Sequence, residues 1–199
     1  MSKIIEKIEF IYQFLNKPKT VGAITPSSRH LTKKILSFVD FKKEGLVLLE
    51  YGPGTGPFTS EIIKHLKPTD QLIVIELNPK FAADLKEKFK DHKNVTIHED
   101  CVASTKKILD KEGIKQVDYI ISGIPFSSLP KDVTQDILIN TKSIMGNKTL
   151  FLTFQYSKFK KETFKQYFKI IDTKFVLRNI PSDFVFLHAE KHKRIKKII

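Results

Sequence analysis

The sequence predicts a doubly wound α/β layer sandwich, a mostly parallel sheet of seven strands that ends in an antiparallel hairpin. Three observations predict it. Short aliphatic runs alternate with segments of helical periodicity through the middle of the chain. The first run, Leu46 to Leu49, leads into a turn with glycine at alternate positions, Gly52, Gly54 and Gly56. The last two strand-like runs are separated only by Asn179-Ile180-Pro181-Ser182, which favours an antiparallel pair at the sheet edge.

Composition bounds the rest. The 199 residues, 41% hydrophobic and 29% charged, suit one domain with a real core. No window reaches the roughly 18 uninterrupted apolar residues of a membrane span. Charges at Lys3, Glu6, Lys7 and Glu9 exclude a signal peptide's apolar centre, so a cytoplasmic protein is expected. The lone Cys101 forms no internal disulfide, and the scattered histidines offer no metal-ligand spacing; no metal is expected. The formal charge of +13 attracts polyanions, nucleic acid or an anionic membrane, although a lysine-rich surface alone gives the same number. Much of it lies in Lys158–Lys169 and Lys191–Lys197, and no RNA-binding aromatic signature accompanies either.

The elements follow in order. Residues 3–17 read as a helix, with Ile4, Ile8, Ile11 and Leu15 on one stripe that Ile5, Phe10 and Phe14 widen. So broad an apolar face packs on its own domain, covers a cleft or lies in a membrane interface. Pro26 holds Thr25 extended, and Ser27 or Ser28 can cap a helix running to about Val39. Residues 1–40 thus hold the amphipathic helix and a lid or substrate segment, and residues 41–199 the ligand-binding core of a single domain, 1–199.

After the glycine turn, Phe58 to Leu66 is helical and Pro68 marks its end; Pro57 suits the first turn because its missing N–H would be unpaired there. Gln71 to Glu76 is a second buried strand ending in a carboxylate, and Pro79 opens a helix to about Lys90. Val95 to His98 is a third strand, after which Asp100 either meets a ligand or caps a helix from Ala103. Val117 to Ile121 is the fourth strand, running into the loop Ser122–Pro130 at a carboxyl strand end, where open α/β sheets bind ligands. Asp132 to Ile144 is helix, Lys148 to Phe154 the fifth strand and Ser157 to Phe168 a basic helix anchored by Phe159, Phe164 and Phe168. Lys174–Arg178 and Phe184–His188 are the closing strands.

The glycine turn fits neither of two common nucleotide motifs. A dinucleotide fingerprint needs a third glycine where Pro57 stands, and a P-loop needs Gly-Lys-Ser/Thr where the chain has Gly56-Pro57-Phe58. Glu76 follows Gly56 by 20 residues, the spacing at which such folds place an acid for ribose hydroxyls.

Glu50-x-Gly52-x-Gly54-x-Gly56, with Glu76 and Asp100 downstream, resembles motif I and its partner acids in the class I S-adenosylmethionine-dependent methyltransferases. The resemblance implies a Rossmann-like sheet and S-adenosylmethionine as cofactor. It implies that Glu50, Gly52, Pro53, Gly54, Thr55, Gly56, Glu76, Leu77, Asp100, Cys101, Ser122 and Gly123 bind that cofactor, with Glu50 orienting its ammonium group, Glu76 on the ribose and Asp100 on the adenine side.

Two families with this core resemble further segments. Ile124-Pro125-Phe126 agrees with the Asn-Ile/Leu-Pro-Tyr/Phe motif of ribosomal RNA adenine dimethylases, but Gly123 stands at the asparagine position. Those enzymes carry an additional helical RNA domain, for which this chain has no length left. Bacterial phospholipid N-methyltransferases, which act on phosphatidylethanolamine, are similar over Val21–Ser28, Ser122–Pro130 and Asn179-Ile180-Pro181, departing from them at Ser182-Asp183. That similarity implies a head-group amine as acceptor, residues 3–17 on the membrane, and a protein peripheral to its inner face. It marks Thr25, Pro26, Ser27, Ser28, Pro125 and Phe126 as substrate or lid residues. Tyr51, Ser127 and Ser128 are near enough in sequence to orient the amine. The alternatives are adenine N6-methylation of ribosomal RNA and a non-catalytic RNA-binding relative.

Overall fold

The structure, a computed structural model, describes residues 29–155, 161–176 and 183–189. The segments expected at residues 3–17, Val21–Ser28, Asn179–Ser182 and Lys191–Lys197 lie outside the described residues. The strands are β1 (Val47–Tyr51), β2 (Gln71–Glu76), β3 (Val95–Glu99), β4 (Tyr119–Ser122), β5 (Leu150–Gln155), β6 (Lys169–Val176) and β7 (Asp183–Ala189). The helices are α1 (Arg29–Leu36), α2 (Pro57–Ile63), α3 (Pro79–Lys88), α4 (Thr105–Lys111), α5 (Lys131–Ile144) and α6 (Lys161–Tyr167).

β1 to β5 are parallel, and β7 runs antiparallel to both β5 and β6 in the order β3-β2-β1-β4-β5-β7-β6. A parallel sheet has helices on both faces, so its inner strands must be apolar on both sides. β2 meets that demand with every residue from Leu72 to Glu76 buried. One face of the sheet, with Leu49, Tyr51, Ile73, Ile75 and Ile120, packs on Leu109 of α4, Ile137 and Leu138 of α5, and Phe164 of α6. The other, with Leu48, Val74, Ile121 and Leu152, packs on Leu31 and Ile35 of α1 and on Phe58 and Ile62 of α2. β3 is only partly buried because it pairs with β2 alone.

Most boundaries fall within a few residues of those expected, and β2 coincides with them. The largest departure is late in the chain. Of the helix expected over Ser157–Phe168, residues 157–160 lie outside the described residues and the rest is helical over Lys161–Tyr167, while the strand expected from Lys174 begins at Lys169. Phe168 is buried against Phe151 at 5.4 Å, which ends the helix, and the backbone then pairs at once, Lys169 opposite Ala189.

The amino edge of β1 is tied down by a buried acid that its sequence context does not advertise. Asp70 is fully buried, accepting from Leu46 N–H at 2.8 Å through Oδ1 and from Lys67 N–H at 2.8 Å through Oδ2. It thereby fixes where β1 starts relative to the turn before β2. Replacing Asp70 by alanine strands both donors, at a cost of about 1–3 kcal/mol for each one left buried. Urea titration of Asp70→Ala should show a midpoint lowered by that loss with an unchanged slope; an unaltered midpoint would remove Asp70 from the framework.

Candidate active site

β1 lies between β2 and β4, the point where the strand order reverses and where open α/β sheets form a crevice at their carboxyl ends. The chain leaves β1 through Gly52 and Gly54, with φ of 60° and 59°, values that side-chain-bearing residues rarely adopt. Gly56 caps α2 with φ 79°, and a Cβ there would lie 2.6 Å from Leu85 Cδ2 of α3. The turn is therefore pressed against its neighbours as bare backbone.

Two carboxylates bracket it. Glu76, ending β2, accepts from Gly54 N–H at 3.0 Å on Oε2 and from Asn78 N–H at 2.8 Å on Oε1. Burial pushes its pKa up, against the backbone donors of Asn78, Gly54 and Leu77 that hold it down. Glu50 is 1% exposed; the Thr59 hydroxyl donates to its Oε2 at 2.8 Å, while Oε1 has no hydrogen-bond partner among the described residues. Burial lifts its pKa from 4.5 to about 8, opposed by the Thr59 hydroxyl and aided by the charge of Glu76.

A cleft opens over this turn. Its walls include Gly52, Gly54, Glu76, Leu77, Asp100, Cys101, Gly123 and Pro125, all expected from the sequence, and its surface is largely apolar. Asp100 does not cap the following helix: its Oδ1 accepts from Cys101 N–H, and the Cys101 sulfur caps the 3-10 turn at Val102–Ser104 instead. The Asp100 side chain is thus exposed at the cleft wall. Ile124 and Leu129, both within the Ser122–Pro130 loop, complete the walls with Ile75, Asn78, Phe81, Val102 and Ile137, which were not singled out in the sequence. Asn78 had a signal, an Asn-Pro helix start, and caps α3 through Lys80 N–H and Phe81 N–H. Phe81 and Ile137 had none, since a helix's rotation is set by packing.

Two expected substrate residues are corrected. Tyr51 is fully buried in the core that packs on α4 and α5, and neither it nor Glu50 reaches the cleft wall. Phe126 is fully buried against Phe164, ring centroids 5.2 Å apart and edge-on, so it anchors its loop rather than closing over substrate. Ser127 and Ser128 are exposed outside the cleft wall, as is Thr55, while Pro53 and Ser122 are buried beneath it; the Ser122 hydroxyl accepts from Ile124 N–H at 3.2 Å. Thr25, Pro26, Ser27 and Ser28 lie outside the described residues.

The family model for ribosomal RNA adenine dimethylases matches residues 6–179. The chain belongs to that family. Among curated relatives, an ornithine lipid N-methyltransferase of Singulisphaera acidiphila is 28% identical over 86% of this chain and 90% of its own length. A ribosomal RNA small subunit methyltransferase A of Mycoplasma capricolum is 34% identical over 59% of this chain, which spans only 41% of that relative's length. Among solved structures, the N-methyltransferase NodS of Bradyrhizobium japonicum in complex with S-adenosyl-L-homocysteine superposes with a TM-score of 0.67, at 9% identity, over 94% of this chain and 99% of that one. The protein is an S-adenosylmethionine-dependent methyltransferase of Rossmann-like fold.

The residues present fit that cofactor. The unpartnered Oε1 of Glu50 is a buried acceptor for an ammonium group, the glycine turn admits a ligand against backbone, and Glu76 and Asp100 stand on successive strand ends. Glu50 also carries a pH signature. Its folded pKa of about 8 lies above the ordinary 4.5, so its contribution to the stability of the cofactor-free protein is complete below pH 4.5 and lost as pH rises through about 8. Thermal unfolding without cofactor should therefore show Glu50→Gln gaining on the unaltered protein between those two pH values. Calorimetric titration of the same variant should show S-adenosylhomocysteine bound at least tenfold more weakly, about 1.4 kcal/mol or more. A pH-independent difference in stability would remove the buried charge as its cause.

Proposed function

We propose that the chain transfers methyl groups from S-adenosylmethionine to the aliphatic amine of a membrane-lipid head group, that of phosphatidylethanolamine or an ornithine lipid, as a single domain peripheral to the inner face of the membrane. The observation that carries the reading is at Gly123. Its N–H donates to the Tyr51 carbonyl at 2.8 Å, and a Cβ added there would lie 2.6 Å from the Gly52 carbonyl oxygen. Backbone, unlike a flexible side-chain end, cannot move aside cheaply. The asparagine that the dimethylase motif places here, to orient the adenine amino group, has no room in this backbone. An aliphatic amine needs no such planar partner. The lipid methyltransferase, matched over most of its length, points the same way.

The division of labour follows. When bound, the cofactor supplies a methyl group on a positively charged sulfur. Glu50 offers its countercharge to the ammonium, Glu76 and Asp100 accept from the nucleoside end, and the Gly52–Gly54 backbone sets the methyl's position. The protein's remaining task is alignment of the incoming amine. A protonated amine has no lone pair to attack with. The apolar wall at Ile124, Pro125 and Leu129 disfavours a charged amine by desolvation, so it favours the neutral, reactive form. Ser127 and Ser128, exposed beside that wall, are suited to the polar atoms of the head group. The helix expected over residues 3–17 and the positive surface would hold the protein on an anionic bilayer.

Methylation of adenine in ribosomal RNA is the second reading, favoured by the family model. Labelled S-adenosylmethionine incubated with phosphatidylethanolamine vesicles, ornithine-lipid vesicles or total ribosomal RNA separates the two. We expect label in extracted lipid; label in RNA alone would replace the lipid reading with the dimethylase one. Sedimentation with anionic vesicles at low salt should carry the full chain into the pellet and release it as salt rises, whereas a chain lacking residues 1–17 should stay in solution. Equal pelleting of both would take membrane docking away from that segment.

A further inference from the structure

We propose that α6 is a bilayer-facing element that holds the substrate-side loop in place, with Phe164 as its positioning residue. The inference deepens the lipid reading by naming a control on its cleft, and rests on that reading's membrane contact. β6 runs parallel to β5, since both are antiparallel to β7. The connection must therefore descend from the carboxyl edge of the sheet, which puts the start of α6 at the cleft end. Its inner face buries Phe164, Phe168 is buried directly after it, and its outer face exposes Glu162, Lys165 and Gln166, with Lys169 exposed just beyond. Lys165 pairs with Glu162 at 2.6 Å, an exposed contact that leaves the lysine charge largely available. From Lys158 to Lys169 the sequence has five lysines against one glutamate, a net +4 that complements an anionic bilayer.

Phe164 meets one residue of the substrate loop edge-on, Phe126. Phe126 cannot move alone. Its N–H donates to the Ile124 carbonyl at 2.9 Å, Ser128 N–H to the Pro125 carbonyl at 2.9 Å, and Leu129 N–H to the Phe126 carbonyl at 3.3 Å. Ile124, Pro125 and Leu129 are cleft wall. A surface that seats α6 thus fixes, through two rings, the wall over which the amine enters. Phe168 serves as the control, buried directly after the helix but packed on Phe151 and Tyr167.

Hydrogen exchange of the full chain on phosphatidylcholine vesicles, with and without about one third phosphatidylglycerol, reads this coupling without methyl transfer. We expect the anionic lipid to slow exchange at residues 126–129 by roughly tenfold. Phe164→Leu, an apolar replacement that keeps the helix packed, should lose that slowing, and Phe168→Leu should keep it. Lys165→Gln with Lys169→Gln leaves the core untouched and should lose it too. No slowing in the unaltered protein, or equal slowing in Phe164→Leu or in the lysine variant, would overturn the proposal. The labelled-lipid assay is a separate readout. Absent lipid labelling with the slowing intact sinks the lipid acceptor and leaves the coupling, while labelled lipid without slowing does the reverse.

Discussion

The carboxyl ends of β1 and β4 touch backbone to backbone, and the rest of the site depends on that contact. Gly123 donates to the Tyr51 carbonyl at 2.8 Å and has its α-carbon packed where a Cβ would strike Gly52. Parallel pairing of β1 with β4, Tyr51 opposite Ser122, brings the two strands out side by side. The glycine turn and the loop after β4 are therefore one continuous surface. A side chain at 123 would part them, and one at 52 would strain a backbone held at φ 60°.

Close packing of backbone leaves the charge problem to the acids, and they solve it differently. Glu76 has a backbone donor on each oxygen, so it keeps a fixed position whether or not a ribose is present. Glu50 has one oxygen bonded to Thr59 and one without a partner among the described residues. An unsatisfied buried carboxylate is costly, and its elevated pKa reports that cost. A cationic ligand group removes the penalty on arrival. A site destabilised when empty binds such a group more tightly for the same contacts, which is a reason to place an acid where packing alone would favour leucine.

How much of this was legible in the sequence follows from the kind of constraint involved. β2 was readable residue by residue because a strand buried on both faces has no alternative use for Leu72-Ile73-Val74-Ile75, and the glycine turn because only backbone can occupy positive φ beside a neighbour. The role of Tyr51 was not readable. Val47-Leu48-Leu49 is apolar on both faces, so nothing local shows that the Tyr51 ring is enclosed by α4 and α5, and proximity to Gly52 misleads. The limit of α6 was hidden because Phe164 and Phe168 share helical spacing although Phe168 lies in the bend between α6 and β6. Asp70 and Ile137 were invisible for the same reason: each gains its role from an element distant in sequence.

Family and acceptor are separate questions here, because a fold and cofactor site can be shared while the acceptor changes. The family match covers residues 6–179, which include β1 to β6 and the glycine turn. The acceptor is chosen by far fewer atoms. One of them is the hydrogen on the Gly123 α-carbon, which stands where the dimethylase motif carries an amide. Restoring that amide would require Gly52 to retreat, and Gly52 is held by its N–H donating to the Ile75 carbonyl at 2.9 Å. The replacement is therefore not a neutral drift at a tolerant position. It is built into the spacing of β1, β2 and β4, which is why the acceptor proposed above is an amine that needs no amide to orient it.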